Sequence, residues 1–270
     1  MLPRFKLLIP KTLEEAVQEL SGGEATVVAG GTRVLLMTYM HVMRPEVLLS
    51  IRRLGLDFIQ FKGDRIEVGA NVTLSQLVGH DEVRGKFPLL HASASQVADP
   101  SIRNKATVVG NVVNAVPYSS LVPAFLLMEG EATIRGPKGQ RVVRAVDFFK
   151  GPLETAQGQD ELVTSLSFKK LEGRGSFTEF RNDSELPVMN VAVWKFPNGR
   201  VSVAFTGLTP VPTLMELGTL GDDFRTCFRE VRTQLQDKFS DQAMDDLRAG
   251  AEYRLHLASV LTARMLTEVS

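Results

Sequence analysis

The chain has 270 residues, with 31 basic and 31 acidic side chains, one cysteine and four histidines. A balanced charge argues against a nucleic-acid binder or an acidic-membrane binder, because neutralising phosphate needs a basic excess. The lone Cys227 excludes an internal disulfide and a self-contained iron–sulfur cluster, which takes about four thiolates, and it favours a reducing compartment, so a cytoplasmic location is expected. The first ten residues lack the apolar core of a signal peptide, and no run approaches the ~18 apolar residues of a membrane span.

Residues 5–9 read as a strand stopped by Pro10. Thr12-Leu13-Glu14-Glu15 then opens a helix as a capping box, predicted to end at Gly22-Gly23. Residues 25–29 and 46–51 read as inner strands with a helical turn or two between them, where Met37 and Met40, like Met43, are expected to fill core. A hairpin is predicted over 58–68, a second capping box at Thr73-Leu74-Ser75-Gln76, and a small-residue helix over 89–97. Residues 99–123 read as irregular. A hairpin around Gly136-Pro137-Lys138-Gly139 and a strand over 162–168 follow. Leu171-Glu172-Gly173-Arg174-Gly175 marks a boundary, giving one unit over 1–170 (parts of about 1–55 and 56–170) and another over 171–270. The second begins with strands over 176–181, 188–196 and 200–206, then turns helical. In its last helix Tyr253, Leu257, Leu261 and Met265 recur every four residues as one apolar face. This predicts a small antiparallel sheet with helices on one side, in an α+β chain. Asp245-Asp246 reads as a solvated helix face and Trp194 as core.

Two segments suit chemistry better than packing. In Val28-Ala29-Gly30-Gly31-Thr32-Arg33 a buried strand runs into two glycines, a backbone that can bend sharply and present successive N–H groups to an anion such as a pyrophosphate. It does not fit the dinucleotide G-x-G-x-x-G pattern. The second is Asp99-Pro100-Ser101-Ile102-Arg103-Asn104, then Thr107-Val108-Val109-Gly110-Asn111 and Asn114-Ala115-Val116-Pro117-Tyr118-Ser119-Ser120, too polar for core and too apolar at its flanks for disorder. The four histidines lie far apart without ligand spacing, so no metal site is expected.

Together these segments resemble the flavin-binding medium subunits of the molybdenum hydroxylases, the xanthine dehydrogenase and carbon monoxide dehydrogenase type. The match rests on Ala29-Gly30-Gly31-Thr32 and on the D-P-x-I-R-N and T-x-x-G-N runs just quoted. Thr12-Leu13-Glu14-Glu15-Ala16, Arg44-Pro45-Glu46, Asp147-Phe148-Phe149, Gly151-Pro152, Asp160-Glu161-Leu162 and Tyr253-Arg254-Leu255 are also similar, so the resemblance covers essentially the whole chain. It implies two α/β subdomains clamping FAD in a PCMH-type fold, followed by the small C-terminal domain. The implied cofactor residues are Val27 and, at the diphosphate, Ala29, Gly30, Gly31, Thr32, Arg33 and Val34. Val97 is implied just before the second segment, and Thr107, Gly110, Asn111, Asn114, Ser119 and Ser120 within it. Leu162 and Val163 are implied along an apolar side, and Arg181 near the flavin's pyrimidine end. FAD is expected to be held non-covalently, since no histidine or cysteine adjoins either loop. The resemblance also implies partners, a molybdopterin-binding large subunit and a [2Fe–2S] small subunit, with electrons passing through FAD to an acceptor such as NAD+.

Two positions depart from the pattern. Val109 stands where the family has the first glycine of G-G-N, and a β-branched residue tolerates positive φ badly, which implies a β conformation or an altered loop. Ser120 stands where relatives carry an aspartate. Both leave open a second reading, a scaffold subunit of the same fold that has lost FAD.

Overall fold

The computed structural model describes residues 3–182 and 186–268. Its first part is a parallel three-stranded sheet with helices: β1 (Lys6–Leu8), α1 (Leu13–Leu20), β2 (Ala25–Val28), α2 (Val34–Tyr39) and β3 (Val47–Ser50), in the order β1-β3-β2. The Thr12 hydroxyl accepts the Glu15 N–H at 3.1 Å and so starts α1. The Glu15 carboxylate returns to the N–H of Lys11 at 2.7 Å, one residue earlier than a strict capping box. The methionine expectation needs correction: Met40 is exposed, beside exposed Leu36, Tyr39 and Val42, and Met37 and Met43 are only half-buried.

The second part carries β4 (Ile59–Lys62), β5 (Arg65–Gly69), α3 (Leu74–Val78), α4 (Asp81–Lys86), α5 (Pro88–Ser95), α6 (Pro100–Arg103), α7 (Val108–Val113), α8 (Leu121–Leu127), β6 (Glu131–Gly136), β7 (Gly139–Arg144), α9 (Ala145–Phe148), β8 (Phe149–Gly151), β9 (Glu154–Thr155) and β10 (Leu162–Lys169). Five of these strands form an antiparallel sheet in the order β4-β5-β10-β6-β7. The segment 99–123, expected to be irregular, instead holds α6, α7 and the start of α8. The miss has a physical origin. α6 and α7 are short, and Asp99 with Pro100 at the start of α6 and Thr107 at the start of α7 serve as helix starts rather than as loop residues. Every residue of α8 is buried, as a helix apolar all round must be.

The last part is β11 (Arg174–Phe180), β12 (Met189–Lys195), β13 (Val201–Thr206), β14 (Thr213–Gly218), α10 (Phe224–Phe239) and α11 (Ala251–Glu268). β14 corrects the expectation that the chain turns helical directly after β13. Leu, Met and Glu are helix formers, but Met215 and Leu217 point inward while Glu216 stays exposed, a period of two. The sheet has helices on both faces rather than one. Met189, Val191, Val193, Val203 and Phe205 pack under α10 and α11, whereas Phe177, Ala192, Trp194 and Ala204 face the core of the preceding part. There the small Ala192 and Ala204 let α8 cross β12 and β13 closely. Trp194 is buried, its Nε1 donating to the Glu172 carbonyl at 2.9 Å.

Of the expected α11 face, Leu257 and Met265 are buried and Leu261 packs partly buried against the same core, but Tyr253 is exposed; the buried side also takes in Arg254, Leu255, Ala258, Ser259, Thr262, Ala263 and Leu266. Arg254 is fully buried, and its guanidinium donates to the carbonyls of Ala249, Val188 and Gly207 and to Asp246 at 2.6 Å. Asp246 is therefore not a solvated helix residue. Its partial burial works to raise its pKa, but hydrogen bonds from Arg248 and Arg254 outweigh that and hold it well below the usual carboxylate range.

Candidate functional site

β2 and β3 run parallel, with Val28 beside Ser50, so their carboxyl ends meet at one edge, where α/β sheets gather ligands. Residues 29–33 leave β2 there and lead into α2. Gly31 takes φ 75°, a conformation that favours glycine. Among the described residues, the N–H groups of Gly30, Gly31, Thr32, Arg33 and Val34 donate to no protein acceptor, a row of free donors. Gly30 is glycine for a different reason. A Cβ there would lie 1.7 Å from the Lys105 carbonyl oxygen, so the loop meets the second segment backbone to backbone.

That second segment is built by caps. Asp99 Oδ1 accepts from the Ser101 N–H at 2.7 Å and the Ile102 N–H at 3.0 Å, which starts α6 behind Pro100. The Ser101 hydroxyl and these amides keep the Asp99 pKa low. Arg103 Nη1 holds the carbonyls of Val97 and Ala98 at 2.9 and 2.7 Å, pinning Ala98 at φ 45°. A left-handed alanine costs about 1–2 kcal/mol and needs such a clamp. Thr107 caps α7 by accepting the Gly110 N–H at 3.0 Å, and a Cβ on Gly110 would lie 2.8 Å from that hydroxyl.

Between the two segments lies a cleft of about 220 Å³. Val27, Ala29, Gly30, Gly31, Thr32, Arg33 and Val34 form one wall, Val97, Thr107, Gly110, Asn111 and Asn114 the other, and Leu162 and Val163 close it at the start of β10, next to a bulge between Val163 and Ser165. Ile51, Ala70, Ile102, Ala106, Val109, Val113 and Gln157 complete the lining. Of this last group only Ile102 and Val109 fall within the motif runs, and neither was expected at the cofactor; the others, apart from Gln157, are apolar residues that sequence patterns do not set apart from core. Among the described residues no carboxylate lines the cleft and Arg33 is its one charged residue, so its field favours an anion. The donor set fits a dinucleotide diphosphate: free amides, a cation and apolar walls for the flanking groups.

Ser119, Ser120 and Arg181 do not line this cleft. Ser119 Oγ lies 2.8 Å from Asn111 Oδ1, so it meets the cleft wall from behind. Ser120 Oγ donates at 2.6 Å to Glu179 on β11, whose carboxylate also pairs with Arg181. A carboxylate thus reaches Ser120 from another strand, which sequence reading missed. The Arg248 guanidinium lies 5.0 Å over the Tyr118 ring. Val109 corrects the expectation of a β conformation or altered loop: it sits in the first turn of α7, has no positive φ, and is buried. A β-branched residue is compatible with that backbone.

Residues 3–168 match a family model described as the FAD binding domain in molybdopterin dehydrogenase. The chain is 26% identical to the glyceraldehyde dehydrogenase medium chain of Sulfolobus acidocaldarius, covering 99% of both chains. It is 26% identical to the xanthine dehydrogenase FAD-binding subunit of Escherichia coli O157:H7, over 95% of this chain and 93% of that one. In fold it is similar to carbon monoxide dehydrogenase from Hydrogenophaga pseudoflava, with a TM-score of 0.88 at 22% identity, covering 100% of this chain and 98% of that one.

Proposed function

Because the chain belongs to the family of FAD-binding domains of molybdopterin dehydrogenases, we propose that it works as the flavin subunit of a cytoplasmic complex. In that complex a large molybdopterin subunit oxidises the substrate, a small [2Fe–2S] subunit relays the electrons, and this chain delivers them to an acceptor such as NAD+. Bound FAD supplies the exchange between one-electron carriers and a two-electron acceptor.

The observation that carries this reading is the row of free N–H groups over residues 30–34, facing a cleft without carboxylates. These amides and Arg33 would hold the diphosphate. Thr107 accepts the Gly110 N–H in capping α7, which leaves its O–H to donate to an anion in the cleft. Asn111 and Asn114 would take the adjoining polyol, with Leu162 and Val163 as an apolar wall. Arg181, ion-paired to Glu179, would stand at the far end as a cation held in place. The exposed apolar residues Leu36, Tyr39, Met40 and Val42 on and after α2 suit burial by a partner.

The test is to titrate the purified full-length chain with FAD. The expected result is one equivalent bound, with flavin fluorescence quenched and all flavin released by acid precipitation. A chain that takes up no FAD overturns the reading. Reoxidation of the reduced flavoprotein by NAD+ tests the acceptor, and its absence removes NAD+.

A further inference from the structure

β12 and β13 are apolar strands with one polar pair between them. Asn190 and Thr206 lie opposite each other in register and are 0% and 1% exposed. Asn190 Nδ2 donates to the Tyr118 carbonyl at 3.0 Å and to Thr206 Oγ1 at 2.9 Å, and Thr206 Oγ1 donates to the Ser119 carbonyl at 3.3 Å. Asn190 Oδ1 has no partner among the described residues. A buried carboxamide with an orphaned oxygen is unfavourable for a sheet interior, so packing alone does not account for it. The next residue of the same turn is held as well, by the Ser120 bond to Glu179. Three adjacent strands therefore each grip one of three consecutive residues, 118, 119 and 120.

The other side of that turn meets the cleft. Asn111 Oδ1 lies 2.8 Å from Ser119 Oγ and accepts the Leu121 N–H at 3.2 Å. A carboxamide has one oxygen and one NH2 group. With the oxygen spent on the turn, the NH2 group is what Asn111 can offer to the cleft it lines.

We propose that Asn190 and Thr206 are positioning residues of the flavin site: by holding the 118–120 turn they keep the Asn111 carboxamide oriented as a donor into the cleft. The proposal rests on the FAD reading above for its ligand but not for its geometry. It makes the C-terminal sheet part of the cofactor site without contact with the cofactor.

The experiment compares Thr206→Val, which keeps the shape and removes the hydroxyl, with Thr206→Ser, which restores it. Each is measured in the full chain alone and combined with Asn111→Ala, with Val203→Ala on the opposite face of β13 as a control for general destabilisation. FAD affinity is read by fluorescence quenching. Thr206→Val is expected to weaken FAD about tenfold, Thr206→Ser to recover to within about threefold, and Thr206→Val to add less than about twofold once Asn111 is already alanine, because coupled sites are not additive. Equal losses in both backgrounds, or no loss from Thr206→Val, overturn the proposal. A second readout needs no flavin. The Asn111 side-chain amide resonances of the ligand-free chain should shift in Thr206→Val and not in Val203→Ala, and an unchanged Asn111 signal overturns the proposal. If the wild-type chain binds no FAD, the functional reading fails while this second readout still decides the positioning role.

Discussion

Gly30→Ala is the sharpest single probe of how the cleft is assembled. The backbone at Gly30 does not require a positive φ, so alanine is conformationally allowed there, and the whole effect is steric. The new Cβ would stand 1.7 Å from the Lys105 carbonyl oxygen, 2.7 Å from its carbon and 3.2 Å from Ala106 Cα. One wall must retreat by more than about an ångström to restore ordinary contact in a packed interior. The opposing wall cannot swing away freely. Ala106 N–H is tied to the Ile102 carbonyl at 2.8 Å, the Ala106 carbonyl accepts from Leu74 at 2.9 Å, and Val108 N–H reaches the Val72 carbonyl at 3.0 Å. Overpacking against fixed backbone costs about 3 kcal/mol, the upper part of the usual range. For a chain of this size that lowers Tm by roughly 6–12 °C. Parting the two walls should also cost FAD at least about tenfold in affinity. Gly31→Ala is the comparison: its Cβ would meet the movable end of the Leu35 side chain at 2.9 Å, and its φ of 75° carries a left-handed penalty of about 1–2 kcal/mol. Thermal unfolding and FAD titration of the two variants check the order. If Gly30→Ala proves as stable and as tight as Gly31→Ala, the backbone approach at Lys105 does not hold the cleft together.

Asp246→Asn should destabilise the chain most near neutral pH. The Asp246 pKa is depressed in the fold, so its contribution is present above the unfolded carboxylate pKa and is lost as pH falls below about 4; urea midpoints of wild type and variant should converge below that pH, and a constant gap would refute the pairing. Ser120→Asp places a second carboxylate against Glu179, and with about 4 kcal/mol of repulsion at ~4 Å in an effective dielectric of about 20, reduced by the adjacent Arg181, it should unfold several degrees below Ser120→Asn at pH 7; equal Tm values would mean that Glu179 turns away. Burial pushes the Cys227 thiol up to about 11, so iodoacetamide at pH 8 should label it only at the rate of unfolding, and fast labelling of native protein would contradict its placement in the core.

Much of the chain was legible locally. The caps at Thr12 and Thr73, the hairpins at 59–69 and 131–144 and the two segments that wall the cleft all depend on residues a few positions apart, and a short closure costs little entropy. The same locality explains the errors. Asp99, Pro100 and Thr107 read as loop residues in 99–123 because a helix start and a turn use the same residue types and the same side-chain bonds to backbone. β14 read as helix because Leu, Met and Glu favour helices until a neighbouring strand supplies partners for a period-two pattern.

From the amino acids alone, the chain's first caps and hairpins, most of its strands and the family that its two motifs share could be established, because those follow from short-range bonding and patterning. What only the folded chain decided is which distant pieces touch. Gly30 packs on Lys105, Ser120 reaches Glu179 across 59 positions, and Asn190 holds Tyr118 across 72. The α11 face that is buried turns on Arg254 finding carbonyls at Val188 and Gly207. No local signal marks such pairs, because strand register and the crossing of α8 over the C-terminal sheet set them, and a one-residue shift of register would send each side chain to the opposite face.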